Sequence, residues 1–468
     1  MPDLSQTQPF AFTCEGGLMK SRSTFIMKPG QALELLNFEP DIKGGYRRIS
    51  GFRKYVNHIV PQTSASSEKV LMVAFFNNNV LAARGEKIFS SASTELSLKI
   101  LQATGMTGSG TITVDSTSGF SSSGTLQINS EIFTYTGKTS TTFTGVTRAT
   151  SSTSAAAHAV NDAVSESWTE RDTGRTSASK YTFERFNFDG NDKIIVTDGT
   201  NDPTVFNTSL AATDVTESTV EGAKFVTAFK SHMFYAGMSS TPQELVFSQP
   251  FDEDAFNSGS GAGSIKVDDT IVGMKAFRND LFVFCENRIF KLSGTSSSDF
   301  AITPVTRNIG CVNGDTIQEF AGDLIFLGPD GLRTVAGTAR IGDVELGTIS
   351  ANVQSVFDDN LVDSALFESV VIPDKTQYRI FFAKDGTNED NTRGVICVMK
   401  GQTFEFAELK GIKPSATDTF VEAGNVLVLH GGFDGYIHRQ EKGNDFDGTK
   451  VSGRYRSPDL TFGDPGIR

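Results

Sequence analysis

The chain has 468 residues, a length that fits two or three domains or one large all-β domain. Hydrophobic residues make up 38% and charged residues 21%, the balance of a globular protein with a real core. The net charge of −13 argues against a surface that grips nucleic acid, since phosphate contacts need clustered Lys and Arg; it suits equally a surface charged only for solubility and a channel lining to which DNA does not stick.

Thirty-eight Phe stand against one Trp and eight Tyr. Phe is a strand former and a large apolar filler, so this excess points to many thin sheets with bulky plugs between them. The opening MPDLSQTQPFAFTCEGG lacks the basic and apolar regions of a signal peptide. No stretch approaches the roughly 18 apolar residues of a membrane span. The cysteines Cys14, Cys285, Cys311 and Cys397 are far apart and have no metal-ligand spacing, which reads as a protein folded inside the cell without disulfides.

One basic cluster comes first. Five of the thirteen residues from Lys43 to Tyr55 are Lys or Arg; the run reads as a solvated hairpin or equally as a docking edge toward an acidic neighbour, with Arg47, Arg48, Arg53 and Lys54 as candidate protein-contact residues. Strand, tight turn, strand units follow. VLMVAFF turns at Asn77 to Asn79, LFVFCENRIFKL turns at Glu286 and Asn287, DLIFLGPDGLRTV turns at Pro329 to Gly331, and NVLVLHGGFDGYIHRQ turns at Gly431 to Gly435. Asn and Asp beside Gly tolerate the positive φ of tight hairpins. The units recur about every 40 to 50 residues, the period of propeller blades. The expected fold is an all-β propeller of six or seven blades, with an array of β-sandwiches as the competing architecture.

Ile100 to Ser165 breaks the pattern. It is rich in Thr, Ser and Gly, yet TLQINSEIFTYTG alternates cleanly, so a small inserted β-domain is expected there, projecting from the first blade. One helix is expected near Ser350 to Asp363, where Val353, Val356, Phe357 and Leu361 share a face. The expected divisions are 1–55 as an N-terminal docking segment, 56–99 and 166–440 as propeller, 100–165 as the insert and 441–468 as a C-terminal segment.

The chain offers no catalytic, cofactor or metal constellation. The histidines His58, His158, His232, His430 and His438 fall in no metalloprotease spacing, although His430 and His438 flank one turn. Asp445-Phe446-Asp447-Gly448 lacks the rest of a calcium loop. Carboxylate pairs such as Asp252 and Asp254 lack the aromatic platforms of a glycosidase.

Pro29, Gly30, Ala32, Leu35 and Asn37, followed by Gly45, Arg47, Arg48 and Gly51, form an opening segment that resembles that of tail proteins of tailed bacteriophages. The chain is similar to nozzle (tail tubular B) and packaged-DNA stabilisation hub proteins of short-tailed phages. The inserted segment, with its G-F-x-x-x-G-x-L-x-I pattern, resembles a module of marine phage structural proteins. The resemblance implies a virion tail protein assembled in the host cytoplasm, without enzymatic activity or cofactor; the competing readings are a receptor- or glycan-binding propeller of a tail tip or fibre and, behind it, a propeller glycan hydrolase. It implies a homo-oligomeric ring of about six copies below a head–tail adaptor. Other tail proteins or fibres adjoin it, double-stranded DNA passes without sequence-specific binding, and the host envelope is met indirectly. Relatives continue beyond the point where this chain stops, which implies truncation or processing at GRYRSPDLTFGDPGIR.

Overall fold

The computed structural model describes residues 13–56, 58–61, 69–92, 98–99, 110–172 apart from 119, 121, 130, 151 and 152, 174–335 apart from 177 and 178, 348–361, 366–383, 392–422 and 424–459. Tight polar turns set the architecture. Met72–Phe76 and Asn79–Arg84 are joined through Asn77 and Asn78, at φ 46° and 57°. Two consecutive residues of positive φ match the right-handed twist of the flanking strands, and Asn accepts that backbone more readily than most side chains.

Among the described residues, seven sheets repeat this plan of antiparallel hairpins, each entered at its innermost strand; the strands added at the edges of the last two include one parallel pairing each. Blade 1 comprises Met72–Phe76, Asn79–Arg84, Lys87–Ala92 and Thr169–Asp172. The inner strands of blades 2 to 7 are Thr182–Phe186, Phe225–Phe229, Ile271–Phe277, Gln318–Phe320, Leu366–Ile372 and Pro414–Glu422. The fold is therefore an all-β propeller.

The apolar runs look continuous because each blade buries both faces. Ile194 and Val196 of blade 2 join Leu81 and Ile88 of blade 1, while Ile195 between them joins Val226 and Tyr235 of blade 3. In blade 4, Phe282 and Phe284 pack with Phe326 of blade 5, and Leu281 and Val283 pack with Phe234 and Phe247 of blade 3. Each fully buried side chain of this size contributes about 1.5–3 kcal/mol.

Blades 6 and 7 are wider. Phe52–Lys54 lies antiparallel to Ile437–Gln440 as the fourth strand of blade 7, with Asp445–Phe446 and Thr449–Lys450 beyond it. Glu34–Leu36 adds to the outer edge of blade 6 beside Thr403–Lys410, and Arg454–Arg456 pairs beyond it. The last blade meets the first through Leu427, Leu429 and Ile437 packed on Val73, Phe75 and Trp168. Phe75 donates its backbone N–H to the Asp418 carboxylate at 2.8 Å, and its ring stacks on Phe420 with centroids 4.5 Å apart. The ring is thereby closed. The helical pattern at Ser350 to Asp363 appears as a 3-10 turn, Ala351–Val353, followed by the α-helix Gln354–Leu361; Val353, Val356 and Phe357 are its buried side.

Between the third and fourth strands of blade 1 the chain makes two further sheets, of four and three strands. Leu126, Ile128, Phe133, Tyr135 and Phe143 share a core that contains no propeller residue. Its polar pin is Glu131, which is fully buried. Arg148 grips it through Nε at 2.9 Å and Nη2 at 2.7 Å, the Ala156 N–H donates at 2.9 Å, and His158 Nε2 lies 2.8 Å away. Burial alone would push this carboxyl up; these bonds outweigh it and hold it at about 2.

Two outcomes follow from this separation. Replacing 96–166 with a short glycine linker leaves the propeller cooperatively folded, because Lys87–Ala92 and Thr169–Asp172 already pair; circular dichroism and a urea melt check this, and loss of the transition contradicts it. In acid, the insert goes on losing stability below the pH at which pairs with less depressed carboxyls have already protonated. A carboxyl depressed on folding stabilises fully above its unfolded value near ~4.3 and loses that contribution as pH falls toward about 2, here on the order of 3 kcal/mol. Glu131→Gln removes this pH dependence, read from insert amide signals between those two values.

Candidate docking surface and the central channel

The opening segment folds as a belt over blades 6 and 7, and most of its motif residues hold it there. Leu35 and Ala32 are fully buried. Gly30 has φ 98°, and a Cβ on it would sit 1.7 Å from the Thr13 carbonyl oxygen. Asn37, at φ 54°, accepts from the Lys410 N–H at 2.9 Å and donates to the Ser452 carbonyl at 2.8 Å. A Cβ on Gly51 would lie 1.8 Å from the Asp445 carbonyl oxygen.

The basic residues of this segment do not share one hairpin. Tyr46–Arg48 pairs with Phe38–Pro40, whereas Phe52–Lys54 departs to blade 7. The cause is ring closure, which needs the second strand elsewhere. Arg47 bonds Glu39 at 2.6 Å and reaches Asp41 at 3.2 Å. Arg53 clasps Asp445, with Nη2 to Oδ2 at 2.8 Å, and Lys54 lies 3.6 Å from Asp447 and 4.0 Å from the centre of the Tyr436 ring. The carboxylates of Asp445-Phe446-Asp447-Gly448 are thus occupied by Arg53 and Lys54. Among the described residues Arg48 is exposed and has no ion pair, so of the four basic candidates it alone is free to face a neighbour.

Glu39 anchors a buried network that the sequence pattern did not signal. It takes Arg47, Lys375 at 2.7 Å and Arg379 at 3.2 Å. Arg379 is fully buried in blade 6 and also bonds Gln440 at 3.1 Å and Glu441 at 2.7 Å. Burial would raise the Glu441 carboxyl, yet Arg379 and Lys375 hold it down at about 2. Belt, blade 6 and blade 7 are pinned together at this point.

A second charge cluster fills the propeller axis. The cavity there is about 290 Å³ and touches the inner strand of every blade. Lys180, just before the inner strand of blade 2, reaches across to Asp315 of blade 5 at 2.8 Å and to Glu368 of blade 6. Thr417 of blade 7 donates to Glu368 at 2.8 Å. Arg185 pairs with Asp418 and donates to the Phe75 carbonyl at 2.8 Å. Burial would lower Lys180, but Asp315 and Glu368 outweigh it and raise it; burial raises Glu368. A space of this size, crossed by side chains, has no room for a duplex.

No family model matches the chain, and no curated protein matches it. Among solved structures it is similar to Raptor of Chaetomium thermophilum (TM-score 0.40, 8% identity, 89% of this chain and 29% of that one). It is also similar to the WD40 domain of Pan2 from Neurospora crassa (TM-score 0.35, 6% identity, 80% and 89% of the chains). A third likeness is Hsv2 of Kluyveromyces lactis (TM-score 0.31, 7% identity, 72% and 97%). This chain spans less than a third of the Raptor chain. Scores this low carry no argument, and the propeller rests on the strand pairing and closure described above.

The axial cluster predicts a measurable cost. Lys180→Met leaves Glu368 and Asp315 without their cation and destabilises the fold by about 3–5 kcal/mol, read from the urea midpoint. Adding Glu368→Gln recovers part of the loss, because the stranded charge is gone. Equal stability of wild type and Lys180→Met contradicts the assignment.

Proposed function

We propose that this protein is a structural, non-enzymatic subunit of the tail of a short-tailed bacteriophage, in the nozzle or hub through which DNA leaves the particle. About six copies form a ring beneath a head–tail adaptor. DNA passes between the copies rather than through any one propeller, and other tail proteins or fibres dock around them. The observation that carries this reading is the opening segment. Its Pro29 to Gly51 motif is built into a belt along the edge of blade 6 that leads directly into the closing strand Phe52–Lys54 and leaves Arg48 exposed. The filled axis supports the same arrangement, since a duplex needs a lumen made by several subunits. The excess of 55 Asp and Glu over 42 Lys and Arg is compatible with a lumen that does not retain phosphates.

A heterologous contact with a closing rotation generates a ring, so the subunit needs two different docking faces. Arg48 belongs to one of them. Arg48→Glu keeps the wild-type melting temperature, because no ion pair among the described residues is lost, and reduces incorporation into particles several-fold. Quantitative mass spectrometry of purified virions reads this. Full incorporation of the variant, or a particle density map with Arg48 lining the DNA path, defeats the docking role. Absence of the protein from virions defeats the whole reading.

A further inference from the structure

Two exposed apolar features lie at opposite ends of the propeller and carry opposite charge. The first is at the end lined by the turns from first to second strand. There Phe76, Phe186, Phe420 and Val421 line a groove of about 570 Å³ shared by blades 1, 2 and 7, and Val421 is 57% exposed. On a loop at the same end of blade 3, Phe251 is 64% exposed at φ 65°, a backbone that bulky side chains rarely adopt. Its N–H bonds the Ser231 carbonyl at 2.7 Å, which holds it there. Such strain persists where the surroundings over-determine it, commonly at working surfaces.

The rim of this groove is acidic. Asp192 and Lys193 line it, and Lys193 reaches Asp189 at 3.6 Å and Glu253 at 2.7 Å. Asp252 and Asp254 flank Glu253, so Lys193 alone cannot balance the carboxylates around it. A hydrogen bond with Asp252, burial and the charges of Asp252 and Glu253 push the Asp254 carboxyl up to about 6, the mark of negative charge in excess.

The second feature is on the belt. Thr24–Ile26 is a single 3-10 turn whose Phe25 and Ile26 are 68% and 67% exposed, while Met27 is buried. Arg22 and Lys28 flank the turn; both are exposed, and neither has an ion pair among the described residues. Lys20 and Ser21 donate their N–H groups to the Asn352 carbonyl at 2.7 and 3.3 Å, and nearby Gln354 donates to the Asp330 carbonyl at 2.6 Å. Asp330 lies in the turn from second to third strand of blade 5, which is the other end of the propeller. A chain cannot set this turn into its own groove.

We propose that the Phe25–Ile26 turn of one copy seats in the groove of another copy, on Phe76, Phe186, Phe420 and Val421, with Arg22 and Lys28 over the carboxylates of the rim. An apolar anchor entering a pocket concentrates binding energy, and opposite charges around it set the orientation. The two surfaces differ, so each copy that gives its turn still offers its groove, and the series ends only where the rotation closes. As the docking contact of the ring, this inference rests on the tail reading.

The test is sedimentation velocity of the purified full-length chain at rising concentration. Wild type forms species larger than a dimer. The double variant Phe25→Ser/Ile26→Ser and the single variant Val421→Glu, all at exposed positions, keep the wild-type melting temperature and associate at least ~tenfold more weakly. An equal mixture of the two variants stops at a dimer, because one retains only the groove and the other only the turn. A wild type that stays monomeric, variants that associate as wild type does, or a mixture that does not dimerise overturns the proposal. A chain that passes these tests and is absent from virions keeps the contact and defeats the tail reading; a chain present in virions whose variants associate as wild type does defeats the contact alone.

Discussion

A blade of this protein is apolar on both sides, and that single fact governs the rest. A lone sheet with Phe282 and Phe284 on one face and Leu281 and Val283 on the other has nowhere to put either set in water. Stacking a neighbour solves one face and passes the problem on. Only closure ends it, and closure here depends on a strand from the start of the chain, Phe52–Lys54, laid on Ile437–Gln440 at its end. This joins residues far apart in sequence, which is slow to form and holds firmly once made. The belt from Thr13 to Gly51 extends the same device across blade 6.

Charge is used to fix what apolar packing leaves loose. The hydrophobic attraction between blades is non-directional, whereas a buried carboxylate has few acceptable positions. Glu39 with Arg379, Lys375 and Glu441 sets the angle between belt and blades 6 and 7; Lys180 with Asp315 and Glu368 ties opposite sides of the ring across the axis. Such clusters add little net stability over apolar packing and impose a large penalty on any arrangement that separates them. In a ring of similar blades, that penalty specifies which blades lie opposite one another.

The propeller was legible because its signals are local. Asn77 and Asn78 mark a hairpin by their residue types alone, and Phe-rich runs bounded by Gly, Asn and Asp recur at blade length. The helix at Gln354–Leu361 was equally legible from Val353, Val356 and Phe357. What escaped was every pairing at long range. Arg47, Arg48, Arg53 and Lys54 read as one basic cluster because they are neighbours in sequence; in space their partners Glu39, Asp445 and Asp447 arrive from two different sheets, and only Arg48 stays outward. Lys180 and Arg379 carried no signal either, since an isolated Lys or Arg in a strand-rich sequence looks like ordinary surface polarity.

Under the proposed tail reading, this consumption of cations bears on how the subunit would meet DNA. Arg47, Arg53, Lys54, Lys180, Arg185, Lys375 and Arg379 are all bound to carboxylates of their own chain. Each such pair removes one positive and one negative charge from the outward balance, so the net −13 is left to the remaining surface. Counterion release, the main source of nonspecific affinity for a duplex, needs Lys and Arg that are free to meet phosphates. The seven cations that hold belt and ring together are not among them. Under the tail reading proposed above, this internal pairing, rather than any added acidic motif, is what would withhold those cations from a passing polyanion.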